Sequence, residues 1–556
     1  MNQKIIYSVV LAVLFAGLVL AGVMVTHQRN TSTDAAPPEQ AAPEPAPVQP
    51  APAEEETAAP ENTPVDDVVL NWARPVPAAP EPQMAFSVVV EKARILAETS
   101  YEAPESSLPG SVTELNYDAY RRIEYRREAA DWANGASQFQ IQYDPQGFLF
   151  KNPIKINLVE YGEAAPRPFR PEDFNFFDLP ITEEDRQALG FAGFRVTTPL
   201  NAAGKFDDLI NFRGASFFRV LAAGTHYGAS ARGIAVSTAS TSGEEFPAFR
   251  EFWILKPQPG ASAIIIYALL DGPSLSGAYR FTVEPGGQTV VDVDMVLFPR
   301  RGIADFGIAP ITSMFDFAPH DPADGRQDYR PEVHDSDGLM VRLHNGESVW
   351  RPLINPRELQ VSVFARQAPL GFGLMQRQRQ FAAYQDLEAD YHHRPSVWVA
   401  PKGQWGDGAL TLIEIPTSNE YNDNIVAFWQ PSTPLEKGKA ARFGYRMYWG
   451  LEAPMHPSVP KISDTRAGMV PDSKNRLFVI DFQSQDWPAP EAMAAEVSAS
   501  SGEILNKQIV RNRETGGLRL TFQHKPEGVQ SAELRAQLTR AGQPASETWL
   551  YRWTPR

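Results

Sequence analysis

From Phe139 the chain reads as short runs with period-two alternation, punctuated by Gly, Pro and Asp. Gln140-Ile-Gln-Tyr143, Ile154-Lys-Ile-Asn-Leu158, Phe249-Arg-Glu-Phe-Trp-Ile-Leu255, Ser262-Ala-Ile-Ile-Ile-Tyr-Ala-Leu269 and Tyr279-Arg-Phe-Thr-Val283 are examples. A strand sends successive side chains to opposite faces, so this period suits a sheet with one buried face. Repeated short strands between turn signals argue for an all-β sandwich rather than a parallel α/β sheet. No repeat of the length that builds propellers or solenoids is visible.

Two stretches ahead of Phe139 depart from this texture. Phe86 to Ala97 has the spacing of a single helix, while Tyr117 to Trp132 suits either a helix or strands. The strands lapse between Met455 and Pro471, read as loop and domain boundary. They resume at Arg476-Leu-Phe-Val-Ile-Asp-Phe482, Gly517 to Phe522, Ala532 to Leu538 and Thr548 to Trp553, which suit a small immunoglobulin-like sandwich. Residues 85–460 are thus expected to form a large β-sandwich and 461–556 a small one.

The N-terminus is of another kind. Lys4 precedes an apolar run from Ile5 to Val25, long enough as a helix to span a bilayer core of roughly 30 Å. The run ends in Val-Met-Val-Thr-His-Gln, a poor cleavage site, so residues 1–30 read as an uncleaved signal anchor, with a cleaved signal as the alternative. Thr31 to Met84 is rich in Pro, Ala and Glu and reads as a disordered linker.

Charge and composition remove several function classes. With a net charge of −16 there is no basic footprint for nucleic acid. The absence of cysteine excludes disulfides, thiolate catalysis and Cys-ligated metals. There is no Gly-x-Ser-x-Gly elbow, Walker loop, Gly-x-Gly-x-x-Gly or His-Glu-x-x-His, and no cofactor is expected. Asp390, His392 and His393 cluster in sequence, but adjacent histidines on a strand face opposite ways, so no metal site is expected.

What remains is a set of acids among aromatics between Arg330 and Trp429. They occur in Arg330-Pro-Glu-Val-His-Asp-Ser-Asp-Gly338, in Tyr384 to Ser396, and in Glu414 to Ile425. Acids beside Trp, Tyr and His suggest a cleft for a polar uncharged ligand such as a sugar. Sugar rings stack on aromatics and pair their hydroxyls with charged or amide groups, which makes Tyr384, Trp398 and Arg394 candidate lining residues. Asp335 opens like a calcium loop but lacks the later bidentate Glu. Asp423 sits between Asn422 and Asn424, amides that can hydrogen-bond a carboxylate. Two carboxyl groups with different environments are what glycoside hydrolysis needs. Asp271, before Gly272-Pro273, reads as turn chemistry, with substrate binding as the alternative.

Together these stretches resemble the periplasmic glucan biosynthesis proteins of the G and D type. The resemblance lies in Phe212-Arg-Gly-Ala-Ser-Phe-Phe-Arg219, Tyr227-Gly-Ala-Ser-Ala-Arg-Gly233, Leu270 to Phe281, Gly307 to Phe315 and Arg330 to Gly338. It continues in Trp350-Arg-Pro-Leu353, Gly371-Phe-Gly-Leu374, Tyr384 to Ser396, Glu414-Ile-Pro-Thr417 and Asn422 to Val426. With no twin-arginine signal, the chain looks more like the G branch. The resemblance implies a galactose-mutarotase-like β-sandwich followed by an immunoglobulin-like domain, in the periplasm. It also implies a β-1,2-linked glucan as ligand and an inverting hydrolase or transglycosylase, with Asp423 as acid and Asp335 as base. The alternative it leaves open is a noncatalytic glucan-binding scaffold that presents nascent chains to a membrane synthase.

Overall fold

The computed structural model describes residues 84–555 apart from 106–107, 136, 323, 324, 326, 455–458 and 527. The anchor expected at 1–30 and the linker at 31–84, but for its last residue, lie outside the described residues. Among the described residues no helix is long and apolar enough to cross a membrane.

Two large sheets pack face to face. The first runs, in hydrogen-bonded order, through Gln140–Pro145, Phe191–Ala202, Lys205–Arg213, Phe217–Val220, Ser230–Arg232, Phe306–Ser313, Ile425–Pro431, Gly408–Glu414 and Gln360–Phe364. The second has its centre in Gly371–Met375, Ser396–Lys402, Ala441–Gly450, Gln288–Pro299, Leu275–Glu284, Ile264–Asp271 and Ala248–Leu255. Rings from their inner faces interlock: Phe194 meets Phe252 edge-on with centroids 4.9 Å apart, and Phe212 meets Phe281 at 5.0 Å. Aromatic pairs at such spacing add packing energy beyond the area they remove from water.

Ile264–Asp271 is buried at every position, where one-sided burial would alternate. Its outer face is covered by the helix Phe86–Glu98, whose Val89 and Ala93, one turn apart, pack with Trp253, Tyr267 and Leu269. Arg300 fastens the end of this helix by donating to the carbonyls of Leu96 and Thr99, and its Nη2 also pairs with Asp271 at 2.8 Å. Asp271 is thus held in a structural ion pair. The ambiguous stretch after Tyr117 contains a short helix at Tyr117–Tyr120, a strand at Glu124–Tyr125 and a 3-10 turn at Arg127–Ala129.

The C-terminal part adds a four-stranded sheet, Ile462–Met469, Arg476–Phe482, Leu518–Lys525 and Glu503–Arg511 in order. The strand Ile462–Met469 falls inside the stretch expected to be loop, so the loop reading does not hold there. This sheet faces Ala532–Arg540 and Thr548–Trp553, with Phe478 and Phe522 against Trp549 at 5.5 and 5.9 Å. Thr548–Trp553 also pairs in parallel with Ser348–Pro352, so the small sandwich shares a sheet with the large one. Arg377 reinforces the junction, donating both terminal nitrogens to Glu547 at 2.8 and 2.9 Å.

Candidate active site

The His-Asp-Ser-Asp-Gly turn joins the two-residue strand Val333–His334 to Gly338–Arg342. Its residues divide between two tasks. The Asp337 carboxylate accepts the N–H groups of Arg377 and Gln378, which ties the turn to the arginine of the inter-sandwich junction. A Cβ at Gly338 would fall 2.2 Å from the Trp350 ring, so only glycine fits there. The N–H of Asp335 donates to the Met314 carbonyl at 2.8 Å. Its carboxylate is left to face Arg394, whose Nη1 lies 3.1 Å from Oδ1. His334 is fixed by Gln376 at 2.9 Å and Glu332 at 3.2 Å.

Asp423 ends the loop before the strand Ile425–Pro431. The flanking amides do not bond its carboxylate. Asn424 accepts from the Phe315 N–H and donates to the Phe315 and Ile415 carbonyls, as a strand neighbour would. Asn422 donates to Thr417 Oγ1 and Asn419 Oδ1. Asn424 thereby holds the loop against Phe315, which pairs with His334 next to Asp335. The Asp423 carboxylate approaches Ser230 Oγ at 3.5 Å and Arg219 Nη2 at 3.7 Å.

Burial pushes the Asp335 carboxyl up to about 6, with the charge of Asp423 adding to the rise and Arg394, Arg219 and His334 opposing it. Burial also raises Asp423, against the pull of Arg219, Arg232, Ser230 and Arg394. The two carboxylates therefore share one electrostatic field although they come from distant segments. Three buried arginines surround them. Arg394 was a candidate from sequence, but Arg219 and Arg232 were not singled out, although both lie in motifs quoted above.

The other two lining candidates are enclosed. Tyr384 is fully buried; its hydroxyl donates to the Gln378 carbonyl and its ring stands edge-on to His334 at 5.3 Å. Trp398 is fully buried against Gly371 and Gly373, where a Cβ would strike its indole or backbone. Arg394 alone of the three pairs with a candidate catalytic carboxylate. A cavity of about 900 Å³, lined by Asp316, Asn355, Arg476 and Tyr551 among others, shares Thr417 and Ser418 with the loop that leads to Asp423.

Residues 84–553 match the family model described as Periplasmic glucan biosynthesis protein, MdoG. The chain belongs to this family. It is 47% identical over 480 residues to Glucans biosynthesis protein G of Rhodopseudomonas palustris strain BisA53, covering 86% of this chain and 95% of that protein. Against Glucans biosynthesis protein G of Vibrio cholerae serotype O1 it is 45% identical over 472 residues, 84% of this chain and 86% of that protein. Among solved structures, a galactose mutarotase related enzyme from Lactobacillus acidophilus aligns with 43% of this chain and 96% of its own, at 8% identity and a TM-score of 0.20. That value is too low to bear on function.

Proposed function

We propose that this member of the family binds β-1,2-glucan and processes its backbone by inverting hydrolysis or transglycosylation at Asp335 and Asp423. The observation that supports this is the pairing of two buried carboxyl groups, both raised, within one group of arginines. Inversion needs one carboxyl group to protonate the leaving oxygen and one carboxylate to activate water. The motif resemblance gives the acid to Asp423 and the base to Asp335. In the ligand-free site burial raises both carboxyl groups, Asp335 up to about 6. Under that assignment sugar hydroxyls donating to Asp335 would favour the ionised form that a base needs. The work would take place in the periplasm, with residues 1–30 holding the chain to the inner membrane beside a glucan synthase.

A second reading, a noncatalytic scaffold that presents glucan to that synthase, draws on the closure of the site. Asp335 is only 1% exposed and already ion-paired. Incubating the purified chain with linear β-1,2-glucan separates the two. Shortened, cyclised or transferred products support the enzyme; saturable binding without product supports the scaffold.

A further inference from the structure

Tyr391–His393 is a 3-10 turn, with Asp390 at its N-cap, and not a strand. The rings of His392 and His393 consequently lie on the same side, with centroids 4.1 Å apart. A third imidazole reaches them from a remote segment, since His226 stands between Phe217–Val220 and Ser230–Arg232. We infer that His226, Asp390 and His393 form a site for a divalent cation of the zinc class, which would fasten two loops beside the carboxylate pair.

The geometry fits. One ligand atom from each of the three residues lies within 4.8 Å of the other two, and this is the one such group among the described residues. His226 Nδ1 is 3.0 Å and His393 Nδ1 3.4 Å from the same oxygen, Asp390 Oδ2. Bonds of about 2.0–2.1 Å to a tetrahedral zinc ion set neighbouring ligand atoms roughly 3.3 Å apart. Two imidazoles and one carboxylate are a donor set that zinc takes, with water completing the shell. His393 Nδ1 is shielded from solvent and has no hydrogen-bond partner, so its position beside Asp390 is not explained by a bond between them. The His226 and His393 side chains are otherwise 56% and 43% exposed, which leaves the ion a way in.

The position gives the site a consequence. His226 N–H already donates to the His393 carbonyl at 3.0 Å, and a Cβ on Gly228 would meet the Arg394 side chain at 3.0 Å. Arg394 is the residue paired with Asp335. A cation held by these three ligands would hold the arm carrying Arg394 onto the segment between Arg219 and Ser230. None of this depends on whether glucan is turned over.

The test is calorimetric titration of Zn²⁺ into the metal-free full chain, compared with His226→Gln, His393→Gln and the remote control His344→Gln. A single saturable site is expected, with each ligand variant weakened more than about 100-fold, beyond the roughly 10–100-fold seen when a group merely supporting a ligand is lost. His344→Gln should bind as the parent does. Co²⁺ in place of Zn²⁺ should give intense visible bands that both ligand variants lose. Because His226 and His393 are half-exposed, folding of the variants is checked by their unfolding temperatures without metal. Absence of saturable binding, or binding by folded His226→Gln and His393→Gln equal to the parent's, overturns the site and leaves the histidines as polar neighbours of Asp390.

Discussion

Asp481 on the strand Arg476–Phe482 and Asp335 beside Val333–His334 are both almost inaccessible to solvent, yet they are compensated in different ways. Asp481 takes both prongs of Arg519, at 2.8 and 2.6 Å, and a third bond from Asn512. Asp292 in the second large sheet repeats the arrangement with Arg446, at 2.7 Å on each oxygen. Asp335 has Arg394 and Arg219 in its neighbourhood but meets a single nitrogen of Arg394, because that guanidinium gives Nε and Nη2 to the Ala389 carbonyl. A forked pair fixes the carboxylate with two charge-assisted hydrogen bonds. An incompletely compensated one keeps a proton within reach of neutral pH, as proton-transfer chemistry requires. Arg394 is held back from forked pairing with Asp335, and this separates the site from the structural ion pairs.

The comparison is tested most severely by removing the charges one at a time. Asp335→Asn and Asp423→Asn keep shape and lose proton transfer, so each should lower glucan turnover by about 10³-fold. The double variant should be little worse than either single one, because the two act as a unit. Product formation from linear β-1,2-glucan measures this. Near-parental turnover in each single variant would remove the pair from the chemistry.

The strands around this site were legible because alternation is a local property. Arg476–Phe482 and Thr548–Trp553 have the bounds read from the sequence. Ile462–Met469 was not, since Asp464, Arg466 and Gly468 break the alternation and its pairing with Arg476–Phe482 defines it. The parallel pairing of Val349 with Thr548 has no local signal at all. Asp335 and Asp423 could be named from their motifs, but the task of Asn424 could not. Its partner Phe315 is remote in the chain, and only the folded backbone shows that the amide bridges loops in place of bonding the carboxylate. Arg219 offered one signal that went unread: a charged residue inside the apolar run Phe217–Val220, buried with the rest of it. His226 joins Asp390 and His393 by the same kind of remote contact.

The next effect is a pH dependence of stability. Asp335 binds its proton more tightly in the folded chain than in the unfolded one, its value rising from 3.8 to about 6. Well below pH 3.8 both states are protonated and the group imposes no penalty. As pH rises toward 6 and beyond, the unfolded chain ionises readily and the folded chain does not, so stability is lost. The full difference is on the order of 3 kcal/mol. Denaturant unfolding of the parent and Asp335→Asn between pH 4 and 7 should give curves that diverge, with the parent falling. Parallel curves would mean that Asp335 is as fully compensated as Asp481.

Asp481→Asn supplies the converse. Losing the charge from a forked pair should cost about 2 kcal/mol in urea unfolding at neutral pH and leave glucan turnover unchanged. A loss of turnover comparable to that of Asp335→Asn, in a chain that remains folded, would erase the distinction between the two kinds of burial.

The smallest effect concerns Tyr384, which stands close to the carboxylates without solvent exposure. Its hydroxyl makes one bond, to the Gln378 carbonyl at 3.1 Å, and its ring packs on His334 and on Tyr391 at 5.7 Å. Tyr384→Phe keeps the ring and removes that bond, so it should cost about 1 kcal/mol of stability. If Tyr384 acts by backing His334, turnover and KM for β-1,2-glucan should stay at parental values. If its hydroxyl also reaches the glucan, KM should rise as well, on top of the stability loss that removal of the Gln378 bond causes under either reading. Measuring both quantities on one variant decides whether this buried ring belongs with the structural side of the comparison, and the expected result is the stability loss alone.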